Sequence, residues 1–256
     1  MLSKSLLKLI RSLDVKKFRK GSGLFVAEGG KTVTDLLGSG IECKKIIATK
    51  LWLSENSINS TNTEIIEVSE QELERASFLR TPQGVLGIFC QRNNVLDETI
   101  PQKELCLALD DIQDPGNLGT IIRIADWFGI EHIICSTNTA DIYNPKTIQA
   151  TMGAIARVNI YYTDLPLFLS NIKKQVPIYG TFLDGENIYD KKLTQNGIIV
   201  MGNEGKGIGN ECAKEVDQRL FIPNFPPHRA TSESLNVSTA TAIICAEFRR
   251  RSTIFS

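Results

Sequence analysis

Residues 105–123 read LCLALDDIQDPGNLGTIIR, and this stretch decides the fold class of the chain. Its first five residues are all apolar, as in a parallel strand that is covered on both faces of a sheet. A polar loop with Pro115 follows, and Leu118, Ile121 and Ile122 then recur at helical spacing. A strand, a loop and a helix in this order form one unit of a doubly wound α/β sheet.

The same alternation continues downstream, so we predict a parallel-sheet α/β domain over residues 105–256. The predicted strands are 105–109, 132–135, 157–161, 177–182 and 197–201, and the predicted helices are 117–128, 145–155, 164–174 and 234–250. Ligands of such sheets bind at the carboxyl ends of the strands. We therefore expect the functional residues in the loops that follow the strands.

The first 92 residues alternate shorter elements and predict a separate small α/β sandwich. Its predicted strands are 24–27, 46–48, 65–68 and 85–90, and its predicted helices are 3–13, 31–38 and one that begins at a Ser69–Glu72 capping box. Residues 93–104 are polar and contain Pro101, so we predict a linker there.

The distribution of charge points to an anionic partner at one place only. The 256 residues carry 29 basic and 29 acidic side chains, which excludes a general polycation. Residues 1–20 nevertheless hold seven lysines and arginines against the single acid Asp14. The predicted RNA contacts in this stretch are Lys16, Lys17, Arg19 and Lys20. The alternative is a solvated basic helix without a partner.

Cysteine and histidine usage excludes several classes of site. The six cysteines form no C-x-x-C pair, and only two histidines are present, so we predict free thiols and no metal site. No apolar run approaches the roughly 20 residues that span a bilayer. We therefore expect a cytoplasmic protein that does not contact membranes.

The loop after the first strand of the second domain supplies Asn117 and Arg123. Asn117 is placed to cap the helix that follows, and Arg123 suits a planar grip on phosphate. The alternative is a structural arginine that pairs with Asp110, Asp111 or Asp114.

The segment 200–209 reads VMGNEGKGIG and predicts a tight loop whose backbone groups hold a small ligand. Its glycines do not fit the phosphate-loop frame, because no Ser or Thr follows the Gly–Lys pair in that frame. A nucleotide-binding dehydrogenase or kinase is therefore disfavoured, and a plain turn remains the alternative.

A third segment reads LFIP at 220–223 and ESLNVSTATA at 233–242. Ser234 can cap the last helix, and Asn236 and Ser238 are polar groups near its start. The alternative is a core helix whose small polar residues are satisfied locally.

Taken in order, N-x-G-x-x-x-R, M-G-N-E-G-x-G and I-P…S-L-N-V-S-x-A resemble the three motifs of the SpoU (TrmH-type) RNA ribose 2′-O-methyltransferases. They span about residues 105–250. Phe18-Arg19-Lys20 and Phe25-Val26-Ala27-Glu28-Gly29 also resemble, more loosely, the ribosomal-protein-like substrate-binding domain that is common in this family.

The resemblance implies more than the hydrophobic pattern does. It implies a deep trefoil knot of the SPOUT type, S-adenosylmethionine as the cofactor, a homodimer, and structured RNA as the substrate. A separate substrate domain favours ribosomal RNA over transfer RNA as that substrate. Which nucleotide is modified does not follow from the sequence.

Residue roles follow from the resemblance and from the polar groups in the three motifs. Arg123 is the expected central catalytic residue. The other polar candidates are Asn117, Glu204, Ser234 and Asn236, and backbone groups of Thr181, Gly202, Ile222 and Leu235 are the expected cofactor contacts.

The third motif differs from the family pattern in the length of its loop. Ten residues, 224–233, separate I-P from S-L-N-V where many family members have about six.

A non-catalytic RNA-binding protein that retains the fold is the alternative function, although the intact motif residues argue against it.

Overall fold

The computed structural model describes residues 1–58, 63–226 and 232–250. The described strands are β1 (Leu24–Glu28), β2 (Cys43–Thr49), β3 (Glu64–Val68), β4 (Val85–Cys90), β5 (Leu105–Leu109), β6 (His132–Ser136), β7 (Asn159–Thr163), β8 (Ile178–Asn187), β9 (Gly197–Met201) and β10 (Gln218–Phe221). The described α-helices are α1 (Lys4–Ser12), α2 (Lys16–Ser22), α3 (Gly30–Gly38), α4 (Lys50–Glu55), α5 (Glu70–Ala76), α6 (Ile100–Lys103), α7 (Pro115–Trp127), α8 (Pro145–Thr151), α9 (Leu165–Ile172), α10 (Asn210–Ala213) and α11 (Val237–Arg250).

The chain divides into two compact units, each with its own sheet. The first unit comprises Met1–Asn93 together with Asp141–Arg157, and the second comprises the remaining residues. The predicted linker 93–104 lies in the second unit from residue 94 onward and contains helix α6. Segment 141–157, which the sequence analysis assigned to the second domain, is thus part of the first unit.

The first unit is built on a four-stranded sheet in the order β1-β4-β2-β3. Strand β4 is antiparallel to both neighbours, whereas β2 and β3 are parallel. The predicted capping box is confirmed: Ser69 and Glu72 each bond the other's backbone N–H at the start of α5. Helix α1 packs Leu6 and Ile10 into a buried cluster with residues of this sheet.

The second unit is a six-stranded sheet in the order β10-β8-β9-β5-β6-β7, and every described pair in it is parallel. This confirms the predicted parallel α/β fold. Strand β5 lies at the centre of the sheet and is buried along its whole length. Helices α7 and α11 pack against each other. Part of the loop 224–233 lies outside the described residues, and the predicted knot stays a prediction.

Two predicted helix caps were assigned to the wrong residues. Asp114, not Asn117, caps α7, because its side chain accepts the N–H of Asn117 at 2.8 Å. Asn236, not Ser234, caps α11, because its Oδ1 accepts the N–H of Ser238 at 2.9 Å. The cap lies three residues upstream of Asn117 in the first case and two residues downstream of Ser234 in the second. Asn117 therefore lies inside the first turn of α7, and Asn236 lies at the cap position that was predicted for Ser234.

A buried ion pair holds segment 141–157 in the first unit. Arg19 is 1% exposed, and its guanidinium donates to Asp141 at 2.7 Å and to the carbonyl oxygens of Leu13 and Asp14. The Tyr143 ring packs on Phe25 with centroids 4.7 Å apart. The prediction that Arg19 contacts RNA is therefore wrong, because its donors are already bonded inside the unit.

None of the helices in the described ranges is long and apolar enough to cross a membrane. All six cysteines are free thiols, as predicted, and five of them are buried. Burial raises the pKa of the Cys106 thiol to about 12, so this group stays neutral in the interior of the sheet.

We predict that Asp141→Asn destabilises the first unit by about 3 kcal/mol, because it leaves the Arg19 charge buried without a counter-ion. The amide retains an oxygen for the N–H of Tyr143, which Asp141 accepts at 3.0 Å. Urea unfolding followed by fluorescence measures the loss.

Asp35→Asn is the matched control, since Asp35 pairs with the more exposed Lys31 and Arg157. It should cost much less than Asp141→Asn. Equal losses for the two variants would contradict the assignment of Arg19 and Asp141 as a structural pair.

Candidate functional site

The three sequence motifs meet at the carboxyl ends of strands. Asn117 lies in the first turn of α7 after β5, and Glu204 lies in the loop after β9, the neighbour of β5 in the sheet. Asn236 caps α11, the helix that packs on α7. The structure therefore brings these three predicted residues together from positions 87 and 119 apart in sequence.

A directed chain of hydrogen bonds joins the three side chains. The Asn117 Nδ2 donates to Glu204 Oε1 at 2.9 Å, and the Asn236 Nδ2 donates to Asn117 Oδ1 at 3.0 Å. The Asn236 Oδ1 in turn accepts the N–H groups of Ser238 and Thr239 at the helix start. We call this chain the Asn117 relay.

The two ends of the Asn117 relay set its polarity. A carboxylate such as Glu204 can only accept, so Asn117 must turn its NH₂ group towards it. A helix start offers only donors, so Asn236 must turn its oxygen inward and its NH₂ group towards Asn117. Each asparagine therefore has one orientation that satisfies both of its ends.

The loop after β9 is closed on itself by Asn203. Its Oδ1 accepts the N–H groups of Gly205 and Lys206, and its Nδ2 donates to the Asp111 carbonyl at 2.8 Å. A Cβ at Gly202 would collide with the backbone of Gly207, so only glycine fits there. The loop is thereby fixed to the loop that follows β5.

Several amides of this loop are engaged within the protein. The N–H of Gly209 donates to Asp110 Oδ2 at 2.8 Å, and the N–H of Gly207 donates to the Asn203 carbonyl at 2.9 Å. The N–H groups of Asn203, Gly205 and Lys206 are bonded as well, so five amides of the loop are satisfied within the protein. The prediction that backbone groups of Gly202 contact the cofactor stays a prediction.

Of the four predicted cofactor-contact residues, Thr181 lies within β8, Gly202 and Ile222 directly follow β9 and β10, and Leu235 lies next to α11. The Thr181 hydroxyl lies 3.9 Å from the Met201 sulfur, which places Thr181 beside Gly202. Ile222 follows β10, the other neighbour of β8. Leu235 precedes the α11 cap and is 48% exposed.

Arg123 stands apart from the Asn117 relay. It is exposed on α7 and, among the described residues, forms no hydrogen bond or ion pair. The alternative in which it pairs with Asp110, Asp111 or Asp114 is therefore wrong for the described residues. Trp127, one helical turn further along the same face, is 84% exposed.

The remaining predicted site residues, Ser234 and those of α2, differ in their exposure to solvent. Ser234 is exposed and lies outside the helix, where it joins no described part of the relay. Lys16, Lys17 and Lys20 are exposed on α2, whereas Arg19 of the same helix is buried. Only the three lysines present charge to solvent.

The Cys212 thiol is buried next to Asp110 and is held in its neutral form. Burial raises the pKa of the Cys212 thiol to about 12, and the Asp110 carboxylate shifts it in the same direction. A neutral thiol is a poor nucleophile. Within the described ranges, no three histidine, cysteine or acidic side chains form a cluster that holds a metal ion.

Sequence reasoning missed Asn203 and Trp127. Asparagine directly before Glu-Gly is a signal for a side chain that bonds backbone N–H groups two and three residues ahead. Trp127 carries no such signal, because its exposure depends on what packs around α7.

Comparisons with known proteins give the family. A model described as the SpoU rRNA Methylase family matches residues 104–246, and a model described as an MRM3-like substrate binding domain matches residues 4–87. The chain belongs to the SpoU rRNA methylase family. The resemblance predicted from the three motifs is confirmed.

Relatives align along nearly the whole chain. A solved TrmH-family structure from Porphyromonas gingivalis is 38% identical, covers 98% of this chain and 100% of that one, and has a TM-score of 0.87. An AdoMet-bound rRNA methyltransferase from Sinorhizobium meliloti is 32% identical, covers 98% and 96%, and has a TM-score of 0.87. The 23S rRNA (guanosine(2553)-2′-O)-methyltransferase RlmP of Bacillus subtilis is 29% identical over 93% of this chain and 94% of its own.

We predict that Asn117→Asp is more damaging than Asn117→Ala. The aspartate places a second carboxylate against Glu204, whereas alanine only removes two hydrogen bonds, at about 1–2 kcal/mol. The measurement is hydrogen exchange at the amides of Ser238 and Thr239, which should lose protection in both variants.

The extra penalty of Asn117→Asp should shrink as the pH falls, because one proton shared by the two carboxyl groups removes the repulsion. Asn117→Ala should show no such pH dependence. If both variants follow the same pH profile, the Asn117–Glu204 contact is not made in solution.

Proposed function

We propose that this protein transfers a methyl group from S-adenosylmethionine to a ribose 2′-hydroxyl of structured RNA, with ribosomal RNA as the substrate. The observation that carries the proposal is the Asn117 relay, which joins all three motifs of the SpoU rRNA methylase family at one edge of the sheet. Two relatives that align with 93% and 79% of this chain are named as rRNA 2′-O-methyltransferases, which supports the same activity.

The residues present fit S-adenosylmethionine. The loop after β9 turns tightly at Gly202, because a Cβ there would collide with the backbone of Gly207, and Thr181 and Met201 lie beside this turn. A solved relative that is 32% identical carries AdoMet, which supports the same cofactor here. The Ile208 side chain lies close to Gly180 and belongs to the buried apolar cluster of the second unit. The bound cofactor supplies an electrophilic methyl group on a sulfonium.

Arg123 is the proposed catalytic residue on the RNA side. Its guanidinium has five donors in a planar fork that matches phosphate, and nothing among the described residues competes for them. It would hold the phosphate next to the target ribose and stabilise negative charge that develops on the 2′-oxygen. A guanidinium stays protonated, so the proton of the hydroxyl leaves to phosphate or water rather than to Arg123.

The Asn117 relay is proposed to position the reacting groups. Methyl transfer is an in-line displacement, so its rate depends on alignment of the attacking oxygen with the methyl carbon. Glu204 and Asn236 hold the Asn117 amide in one orientation. Asn117 thereby keeps the loop after β9 and the start of α11 in fixed register. Ser234 remains a candidate for contact with substrate, because it is exposed next to this helix start.

We predict that Arg123→Ala lowers methyl transfer to ribosomal RNA at least about 100-fold, while calorimetry shows unchanged S-adenosylmethionine binding. Arg123→Lys should recover little, since a point charge does not replace a planar fork. The readout is labelled methyl incorporated into alkali-resistant dinucleotides, because a 2′-O-methyl group blocks alkaline cleavage of RNA.

A wild-type rate for Arg123→Ala would overturn the role of Arg123, and alkali-sensitive product would overturn the ribose as acceptor. Absence of S-adenosylmethionine binding by the wild-type protein would favour the alternative, a non-catalytic RNA-binding protein. Mapping of 2′-O-methyl groups in cellular RNA with and without the gene identifies the nucleotide.

The first unit is proposed to bind the RNA substrate, and residues 105–256 are proposed to carry the methyltransferase. The exposed side chains of Lys16, Lys17 and Lys20 on α2 supply positive charge for RNA phosphates. The free thiols of the chain favour a reducing compartment, so the cytoplasm is the proposed location.

We predict that replacing Lys16, Lys17 and Lys20 together by alanine makes RNA binding less sensitive to salt. The negative slope of log K against log [salt] should become shallower by about 2, because about 0.7 ions are released per phosphate contact with a single strand. The matched control replaces the exposed lysines Lys103, Lys174 and Lys192 of the second unit. If both triple variants change the slope equally, α2 is not the RNA contact.

A homodimer is the proposed assembly. The large exposed Trp127 ring shares a helix face with Arg123, and α7 packs on α11 through buried small and apolar residues. An exposed tryptophan at this position is costly in a monomer and favourable in an interface. A second copy of the chain covering this face would bring its own groups close to Arg123.

We predict that Trp127→Glu converts the dimer into monomers in sedimentation experiments, because a charge would be buried without a partner. Val95 is 90% exposed, and Val95→Glu serves as the control that stays dimeric. A monomeric wild-type protein, or a dimeric Trp127→Glu variant, would contradict the proposed interface.

A further inference from the structure

The first unit contains a cavity that the methyl-transfer site does not use. Its volume is about 340 Å³, at the lower end of the range for small-ligand sites. The lining residues are Asp14, Val26, Glu28, Phe78, Leu79, Asn144, Pro145, Lys146 and Gln149. All of them belong to the first unit, four of them through segment 141–157.

The lining combines apolar side chains with polar and charged ones. Val26 is buried, and Leu79 and Pro145 are half-buried, which gives the flat apolar contact that a nucleobase needs. The Phe78 ring has the Arg11 guanidinium 5.5 Å from its centroid. A planar aromatic ligand fits such walls better than a flexible one does.

Glu28 is a half-buried carboxylate in the cavity lining, and two hydrogen bonds hold it in place. One carboxylate oxygen accepts the Ser77 hydroxyl, and the other accepts the N–H of Phe78 at 2.7 Å. Burial raises the pKa of Glu28, while these two hydrogen bonds and the Arg11 charge oppose that shift. A carboxylate offers about four acceptor positions, so about two remain after these contacts.

The charges in and around the cavity separate a base from its phosphates. Glu28 is half-buried and repels phosphate from the deeper part of the cavity, whereas Asp14 and Lys146 are exposed and Lys146 attracts phosphate to the surface. Helix α2, with exposed Lys16 and Lys17, begins two residues after Asp14. A nucleotide would therefore enter with its base inward and its backbone along the lysines.

We propose that this cavity binds an unpaired guanine base of the RNA substrate, with Glu28 accepting its N1–H and N2–H groups. Guanine alone among the four bases presents two adjacent donors of this kind to a carboxylate. Uracil lacks the amino group, and cytosine and adenine present one amino group without the neighbouring N–H. The inference rests on the proposed function only in taking RNA as the partner.

The test measures binding of labelled five-nucleotide RNAs to the full chain by fluorescence anisotropy. The oligomers carry guanosine, inosine or uridine at the centre of four uridines. We expect guanosine to bind about tenfold tighter than uridine, and inosine, which lacks the N2 amino group, to fall between them. Amide resonances of Phe78 and Gln149 should shift with the guanosine oligomer and not with the uridine oligomer.

Glu28→Gln is the decisive variant. Its amide can still accept from Phe78 and donate to Ser77, so the fold is retained, but it cannot accept both guanine donors. We expect guanosine and uridine oligomers to bind this variant within about twofold of each other. Glu55→Gln changes an exposed carboxylate outside the cavity and should keep the wild-type preference.

Three outcomes overturn the proposal: no guanosine preference in the wild-type protein, the same preference in Glu28→Gln, or shifts confined to residues away from the cavity. If Glu28→Gln lowers the stability of the protein too far, two measurements on the wild-type protein still test the proposal. These are the affinity for the inosine oligomer and the shifts of the Phe78 and Gln149 amide resonances. Since these measurements need neither cofactor nor turnover, they fail independently of the proposed methyl transfer.

Discussion

The site depends on one side-chain amide, that of Asn117. Its donor end meets Glu204 and its acceptor end meets Asn236, so a single planar group joins the loop after β9 to the start of α11. The chain is directional because a carboxylate lies at one end and helix N–H groups lie at the other. A change of hydrogen-bonding character at Asn117 removes a partner from both Glu204 and Asn236.

This constraint explains why the three motifs need the residue types they have. The relay spans segments that are far apart in sequence, so ordering them is entropically costly. Asn203 and Gly202 lower that cost, because they close the loop after β9 on itself. Positional catalysis requires such preorganisation, because misalignment of the reacting atoms lowers the rate steeply.

A second constraint, of a different kind, shapes the first unit. The buried Arg19 needs a counter-ion, and the chain supplies Asp141 from 122 residues away. Tyr143 adds an aromatic contact to Phe25 at the same place. The unit that matches the substrate-binding family model thus uses residues that lie inside the range of the methylase model. The boundary between the two family models therefore differs from the boundary between the two packed units.

The sequence by itself determined the main strands and helices of both sheets and the chemistry of the motifs, but not the short helices α2, α4, α6 and α10 or strand β10. Apolar runs and helical spacing predicted the parallel sheet, and the order of three motifs predicted the family, because both are properties of local sequence. The tertiary structure alone decided that Arg19 is buried, that Asp114 and Asn236 are the caps, and that Asn117 pairs with Glu204. Burial and hydrogen-bond partners depend on neighbours brought in from distant positions, and the type of a residue does not reveal which neighbours it will meet.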